Sequence, residues 1–202
     1  MARIPLSPTS GDYKLMGSEF VSYFFPCASF EELKGLLDQV EKSSPKADHY
    51  AYALRLKEYS KSSDDGEPSG TAGKPMLTLL EGKDVLGAII VARYFGGTKL
   101  GTPRLRRSFL AAAEEALWKA EYGVETLLWR YVYQVSYPLY EELNAYAKRG
   151  AFVLKSLDYG INVTIQIECE HIIEPVLESK GIRLEPISKE QVITLKKEEE
   201  KQ

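Results

Sequence analysis

Ser63-Asp-Asp-Gly-Glu-Pro-Ser-Gly-Thr-Ala-Gly-Lys74 and its echo Arg93-Tyr-Phe-Gly-Gly-Thr-Lys-Leu-Gly101 decide how this chain reads. Both stretches are too rich in glycine and charge to be ordinary connections. Each abuts a regular element: Pro75-Met-Leu-Thr-Leu-Leu80 follows the first, and the apolar run Val85 to Ala92 leads into the second. Gly66, Gly70, Gly73, Gly96, Gly97 and Gly101 permit positive φ or close backbone approach. Successive backbone N–H groups in such loops form anion-binding concavities. The expectation is that the two loops meet and form the functional face.

Their charges are segregated. Asp64, Asp65 and Glu67 lie in the first loop with Lys74 at its end; Arg93 and Lys99 lie in the second, and Arg104, Arg106 and Arg107 follow it. No acidic residue occurs between Val85 and Ala113. A local basic segment in an acidic protein attracts phosphate or nucleic acid. The same residues also suit an internal set of salt bridges between the loops, and both readings stand open.

The chain has 202 residues, is 44% hydrophobic and carries a formal net charge of −3. That length suits one domain or two small ones. The charge excludes a uniformly basic nucleic-acid binder, leaving a local patch. No apolar run has membrane-spanning length, and Met1-Ala-Arg-Ile-Pro5 lacks a signal-peptide core, so no membrane role is expected. Cys27 and Cys169 fall in separate expected domains, which argues against a disulfide and for the cytoplasm.

Outward from the loops, residues 1–13 read as a loose lead-in or an edge strand, and Gly17 to Pro26 as an aromatic strand. Ser29 and Glu32 form a capping box before a helix ending near Lys42. Tyr50, Tyr52, Leu54 and Leu56 alternate as a strand, with His49 at its start in a structural role. Pro75 suits the first position of a short helix ended by Gly82, and Val85 to Ala92 a strand buried on both faces. Thr102 and Pro103 read as N-cap and first residue of a helix ended by Gly123. Arginines in its first turns oppose the helix dipole unless an anion joins them.

Beyond, the pattern predicts a strand from Thr126 to Tyr137, a helix from Pro138 to Arg149, strands at Ala151 to Asp158 and Ile161 to Cys169, a helix from Glu170 to Lys180 and a last strand from Arg183 to Leu195. That βαββαβ order belongs to a ferredoxin-like sandwich. The expected division is a first domain over 1–124, a second over 125–195 and a charged tail over 196–202.

Familiar motifs fail. Gly70-Thr-Ala-Gly-Lys74 lacks the first P-loop glycine, because position 68 is Pro68, and Pro75 stands where Ser or Thr would bind magnesium. Arg149-Gly-Ala-Phe-Val153 lacks one aromatic of the RNA-contacting RRM strand and falls on the wrong strand. His49 and His171 lie in separate expected domains, and no zinc or serine-hydrolase spacing occurs. Asp64, Asp65 and Glu67 suit a hard cation, or, more plainly, caps, turns and pairing with the arginines. The expectation is no metal, no cofactor and no assigned catalytic residue. Any active site would be the loop pair, with Asp64, Asp65, Glu67, Ser69, Thr71 and Lys74 as its candidates.

Asp64-Asp-Gly-Glu-Pro-Ser-Gly-Thr-Ala-Gly-Lys-Pro75, an apolar strand and Arg93-Tyr-Phe-Gly-Gly-Thr-Lys-Leu-Gly101 together resemble the signature of the YigZ/IMPACT family. Gly17-Ser-Glu-Phe20 and Ala47-Asp-His49 with Tyr52-Ala53 extend the resemblance. It implies an α+β first domain like the second domain of a small-subunit ribosomal protein, and a second domain similar to the last domain of elongation factor G. Eukaryotic members regulate translation by competing for the activator of a stress kinase, and some bacterial members carry a proline-dipeptidase label. One departure is clear. Past Gly101 the family continues Gly-Ala-Gly-Gly-Leu-Val-Arg-Ala-Tyr, whereas this chain runs Thr-Pro-Arg-Leu-Arg-Arg-Ser-Phe109. Pro103 and Arg104 stiffen the helix start and add charge.

The expected function is a cytosolic protein that binds RNA or the ribosome through Arg93, Lys99, Arg104, Arg106, Arg107 and Lys74 and regulates translation, with a protein of the translation machinery as a further partner. The alternative is a peptidase- or phosphate-ester-type hydrolase at the loop pair. A third reading makes the loops a structural hub. Oligomeric state is left open.

Overall fold

A computed structural model describes residues 2–197. The chain is mixed α+β with antiparallel sheets and divides into two compact units, one up to Val124 joined by the chain from Leu195, the other Glu125–Thr194.

The first unit contains β1 (Arg3–Pro5), β2 (Thr9–Leu15), β3 (Ser18–Phe25), α1 (Phe30–Ser43), β4 (His49–Arg55), β5 (Ser60–Ser63), α2 (Gly73–Gly82), β6 (Gly87–Tyr94) and α3 (Thr102–Trp118). Its sheet has the order β2-β3-β6-β4-β5, and the registers Val21↔Ala92 and Ala51↔Val91 set β6 at the centre. Every residue of β6 except Tyr94 is buried. Ile89 and Val91 pack with Met76 and Leu80 of α2 and Leu105 and Phe109 of α3. Ala88, Ile90 and Ala92 pack with Leu33 and Val40 of α1. A strand covered on both faces needs the unbroken apolar run that its sequence shows.

The cap of α1 is a reciprocal pair: Ser29 Oγ accepts from Glu32 N at 3.1 Å and a Glu32 carboxylate oxygen accepts from Ala28 N at 2.7 Å. Other boundaries differ from expectation. Thr102 is the first residue of α3, and its N-cap is Gly101, at φ 72. Pro75 is the third residue of α2, not the first. β5 breaks the apolar rule, because Ser-Lys-Ser-Ser is an edge strand that needs only its backbone to pair with Tyr52–Arg55.

The second unit begins within β7 (Tyr122–Val135) and adds α4 (Tyr137–Lys148), β8 (Val153–Tyr159), β9 (Val163–Cys169), α5 (Glu174–Glu178) and β10 (Ser188–Lys197). β9 lies between β7 and β8, and β10 pairs with β7. Tyr131, Tyr133, Val163, Ile165 and Ile167 line its core with Leu143 and Leu177. β7 starts four residues earlier than expected, since Gly123 is a strand residue and not a helix stop. A Cβ there would lie 2.7 Å from Leu6 Cδ2, so the glycine allows close approach. The helix expected over 170–180 shrinks to the five residues of α5, preceded by Ile173, whose N donates to the Tyr131 hydroxyl at 3.3 Å. Lys196 and Lys197 belong to β10 rather than to a tail; 198–202 lie outside the described residues.

Candidate functional site

The first glycine loop is held from within by its own acids. Asp64 Oδ1 accepts from Ala72 N and Gly73 N, each at 2.9 Å, and Oδ2 accepts from Gly70 N at 2.8 Å. This carboxylate therefore occupies donors at the start of α2, which has no side-chain cap of its own. Burial of the Asp64 carboxyl raises its pKa, but the three N–H donors outweigh it and hold the group below the ordinary value of 3.8. A depressed folded-state pKa stabilises the fold above the ordinary value, and that stability is lost as pH falls from 3.8 through the lower folded value. Asp64→Asn is therefore expected to lower the urea midpoint at pH 7 and to flatten its decline below pH ~4. Equal acid sensitivity in both proteins would refute the assignment.

Asp65 turns the chain, at φ 48. Its Oδ2 accepts from Tyr50 N at 2.6 Å, and its carbonyl oxygen accepts from His49 Nδ1 at 2.6 Å. The sequence placed His49 in a structural role, and this contact gives that role its content: the ring clips the loop to the start of β4. The bond to the carbonyl oxygen requires a proton on Nδ1, and Nε2 lies 3.9 Å from Glu67 Oε1.

Glu67 and Arg93 form the centre. Their side chains are 2% and 8% exposed, and Arg93 Nη1 donates to both Glu67 oxygens at 2.6 and 2.7 Å. The guanidinium carbon lies 5.4 Å from the Phe20 ring centroid and 5.6 Å from that of Phe95. Arg93 Nε is buried without a partner among the described residues. For this arginine the internal salt-bridge reading is the one that fits: it is committed to Glu67 and withdrawn from the outer surface. Thr71, also buried, donates its hydroxyl to the Pro68 carbonyl at 2.6 Å.

The second loop is pinned from outside. Phe95 N donates to Asp48 Oδ2 at 2.7 Å and Gly96 N to Ser18 Oγ at 3.2 Å. A Cβ on Gly96 would sit 1.9 Å from the carbonyl carbon of Gly17, so the loop and the β2–β3 turn touch backbone to backbone. Ser18 and Asp48 stand within Gly17–Phe20 and Ala47–His49, the stretches that extend the family resemblance, but the sequence assigns neither a role; each is a short polar residue beside a strand end.

The structure thus divides the expected site residues. Asp64, Glu67, Gly73 and Arg93 form one hydrogen-bonded hub, Asp65 ties the same loop to β4, and Thr71 closes on Pro68 within it; the side chains of Asp64, Asp65 and Glu67 are all occupied by protein donors. Gly66, Ser69, Gly70, Gly96 and Gly97 lie on exposed loop surface; Lys74 is exposed at the start of α2, Lys99 in the second loop, and Arg104, Arg106 and Arg107 on α3. None of these five cations has an acidic partner within 4.0 Å among the described residues. Arg104 Nη1 lies 3.8 Å from Met16 Sδ, and Arg107 Nε donates to the Pro103 carbonyl at 3.3 Å. The first turn of α3 holds no acid and no side-chain cap.

Residues 16–117 match the Impact N-terminal domain. The chain is 34% identical over 136 residues to an IMPACT family member of Haemophilus influenzae, covering 63% of this chain and 66% of that protein. It is also 34% identical over 141 residues to the IMPACT family member YigZ of Escherichia coli, covering 66% and 69%. The chain thus spans about two thirds of the length of these relatives. A solved structure titled as that of a hypothetical protein superposes with a TM-score of 0.61 at 26% identity, covering 92% of this chain and 95% of the other.

Proposed function

Because the chain belongs to the IMPACT family, we propose that it is a cytoplasmic regulator of translation that binds RNA or the ribosome through Lys74, Lys99, Arg104, Arg106 and Arg107. The observation that carries this reading is the start of α3. Three exposed arginines crowd its first turns with no acidic partner among the described residues, at the helix end that disfavours cations. A polyanion removes that conflict, since its phosphates accept from the guanidinium groups and bring negative charge to the helix start. Arg93, named with these cations on sequence grounds, serves the hub instead.

The domain analogies belong to the same proposal. The first unit is read as like the second domain of a small-subunit ribosomal protein. The second is read as ferredoxin-like, similar to the last domain of elongation factor G, a reading supported by the strand order β10-β7-β9-β8. No helix among the described residues is long and apolar enough to cross a membrane. The hydrolase alternative gains no support from the geometry, because Asp64, Asp65 and Glu67 all serve protein donors.

Binding to purified ribosomes and to generic RNA is expected to weaken with salt, with a log–log slope of about 2 to 4 for three to five phosphate contacts. Arg104→Ala with Arg106→Ala and Arg107→Ala is expected to lower that slope by about 2. No binding at low salt, or an unchanged slope in the triple variant, would overturn the proposal.

A further inference from the structure

Phe95 is 47% exposed, and single exposed rings are common on soluble proteins. Its mounting and its neighbours set it apart. The backbone around it is fixed by Asp48 on one side and by Ser18 and Gly17 on the other. Its ring has the buried Arg93 guanidinium behind it, at 5.6 Å. Met16, 46% exposed, belongs to the turn that abuts Gly96, and its sulfur contacts Arg104. Lys99 follows in the same loop. An exposed ring held by its backbone and a thioether therefore share one rim with cations that have no acidic partner among the described residues.

We infer that this rim takes single-stranded nucleic acid, with an unpaired base stacked on Phe95 and its flanking phosphates held by Lys99 and Arg104. The inference rests on the basic-face reading above and narrows it to a substrate class. The physics favours a single strand over a duplex. Every base has a π-face that stacks on an aromatic ring without regard to sequence, but in a duplex those faces are already covered. Charge complementarity favours a polyanion, and the flat ring favours one that carries planar groups over an acidic peptide. The cost of ordering the rim is met in advance, since the hydrogen bonds of Phe95 and Gly96 already hold it.

The test is fluorescence anisotropy at fixed low salt with a labelled twelve-nucleotide oligouridine, a matched twelve-base-pair RNA duplex and polyglutamate as competitor. Native protein is expected to bind the single strand more tightly than the duplex and to resist polyglutamate. Phe95→Ala is expected to weaken single-strand binding about 5- to 100-fold, the range of one base–aromatic stack, with the salt slope and duplex binding unchanged. Phe95→Trp is expected to retain affinity and to show indole quenching on binding. Equal loss on both nucleic acids, no loss in Phe95→Ala, or competition by polyglutamate as strong as by RNA would overturn the inference alone. Failure of native protein to bind either nucleic acid would overturn the basic-face reading with it.

Discussion

Glu67→Ala is expected to destabilise the first unit by about 3–5 kcal/mol, because it strands a charged arginine inside the protein. Arg93 is only 8% exposed, and among the described residues its Nη1 donates to the two Glu67 oxygens alone. Nε is already without a partner among the described residues, so the remaining environment offers little compensation. The large term is the uncompensated buried charge and not the pair's own attraction, which desolvation largely offsets. That distinction is testable. Adding Arg93→Met to Glu67→Ala removes the stranded charge and keeps a long side chain against Phe20 and Phe95, so the double variant is expected to recover most of the loss. Thermal melts followed by circular dichroism would read the single variant as a fall in Tm of about 10–20 °C. A fall under about 2 °C, or a double variant worse than the single, would refute this account of the hub.

Gly96→Ala is the second large effect, and its cause is steric. The added methyl would lie 1.9 Å from the Gly17 carbonyl carbon and 2.2 Å from Ser18 N. These are backbone atoms of another strand end, and no rotamer change relieves them. The two backbones must separate, which also stretches the Gly96 N–Ser18 Oγ bond. The expected loss is about 3 kcal/mol, at the upper end of overpacking penalties. Gly97→Ala is the internal control. Gly97 has φ +79 but no neighbour within 4 Å, so only left-handed strain of about 1 kcal/mol applies. Urea melts with unchanged m-values should separate the two by roughly 2 kcal/mol. Equal losses would show that the close approach is not needed.

The framework of the first unit was legible because its signals are local. Glycine density marked the loops, the apolar run marked β6 as covered on both faces, and Ser29 with Glu32 marked the start of α1. What the sequence left open was which charges meet. Arg93 and Arg104 stand eleven positions apart in one basic segment and look alike in sequence. Register decides between them: Arg93 is opposite Phe20 and His49 in the sheet, beneath the loop that brings Glu67, whereas Arg104 is on the open side of α3. The bonding roles of Asp48 and Ser18 are illegible for the same reason, since their partners come from a different part of the chain. Gly123 reads as a helix stop because a glycine after helical periodicity is ambiguous; the approach of Leu6 and of the Lys196 carbonyl oxygen reveals that it makes room for its neighbours.

The Glu67–Arg93 pair also orders events in time. It joins residues 26 positions apart, and Arg93 reaches its place only when β6 has docked between β3 and β4. Closing such a span costs entropy that a single ion pair does not recover, so the clasp forms after the sheet and not before it. The expected order therefore closes the Glu67 end of the glycine loop after the sheet has paired. Anything that recognises its finished outer surface distinguishes the completed first unit from every earlier form of the chain, and in binding draws the population toward it.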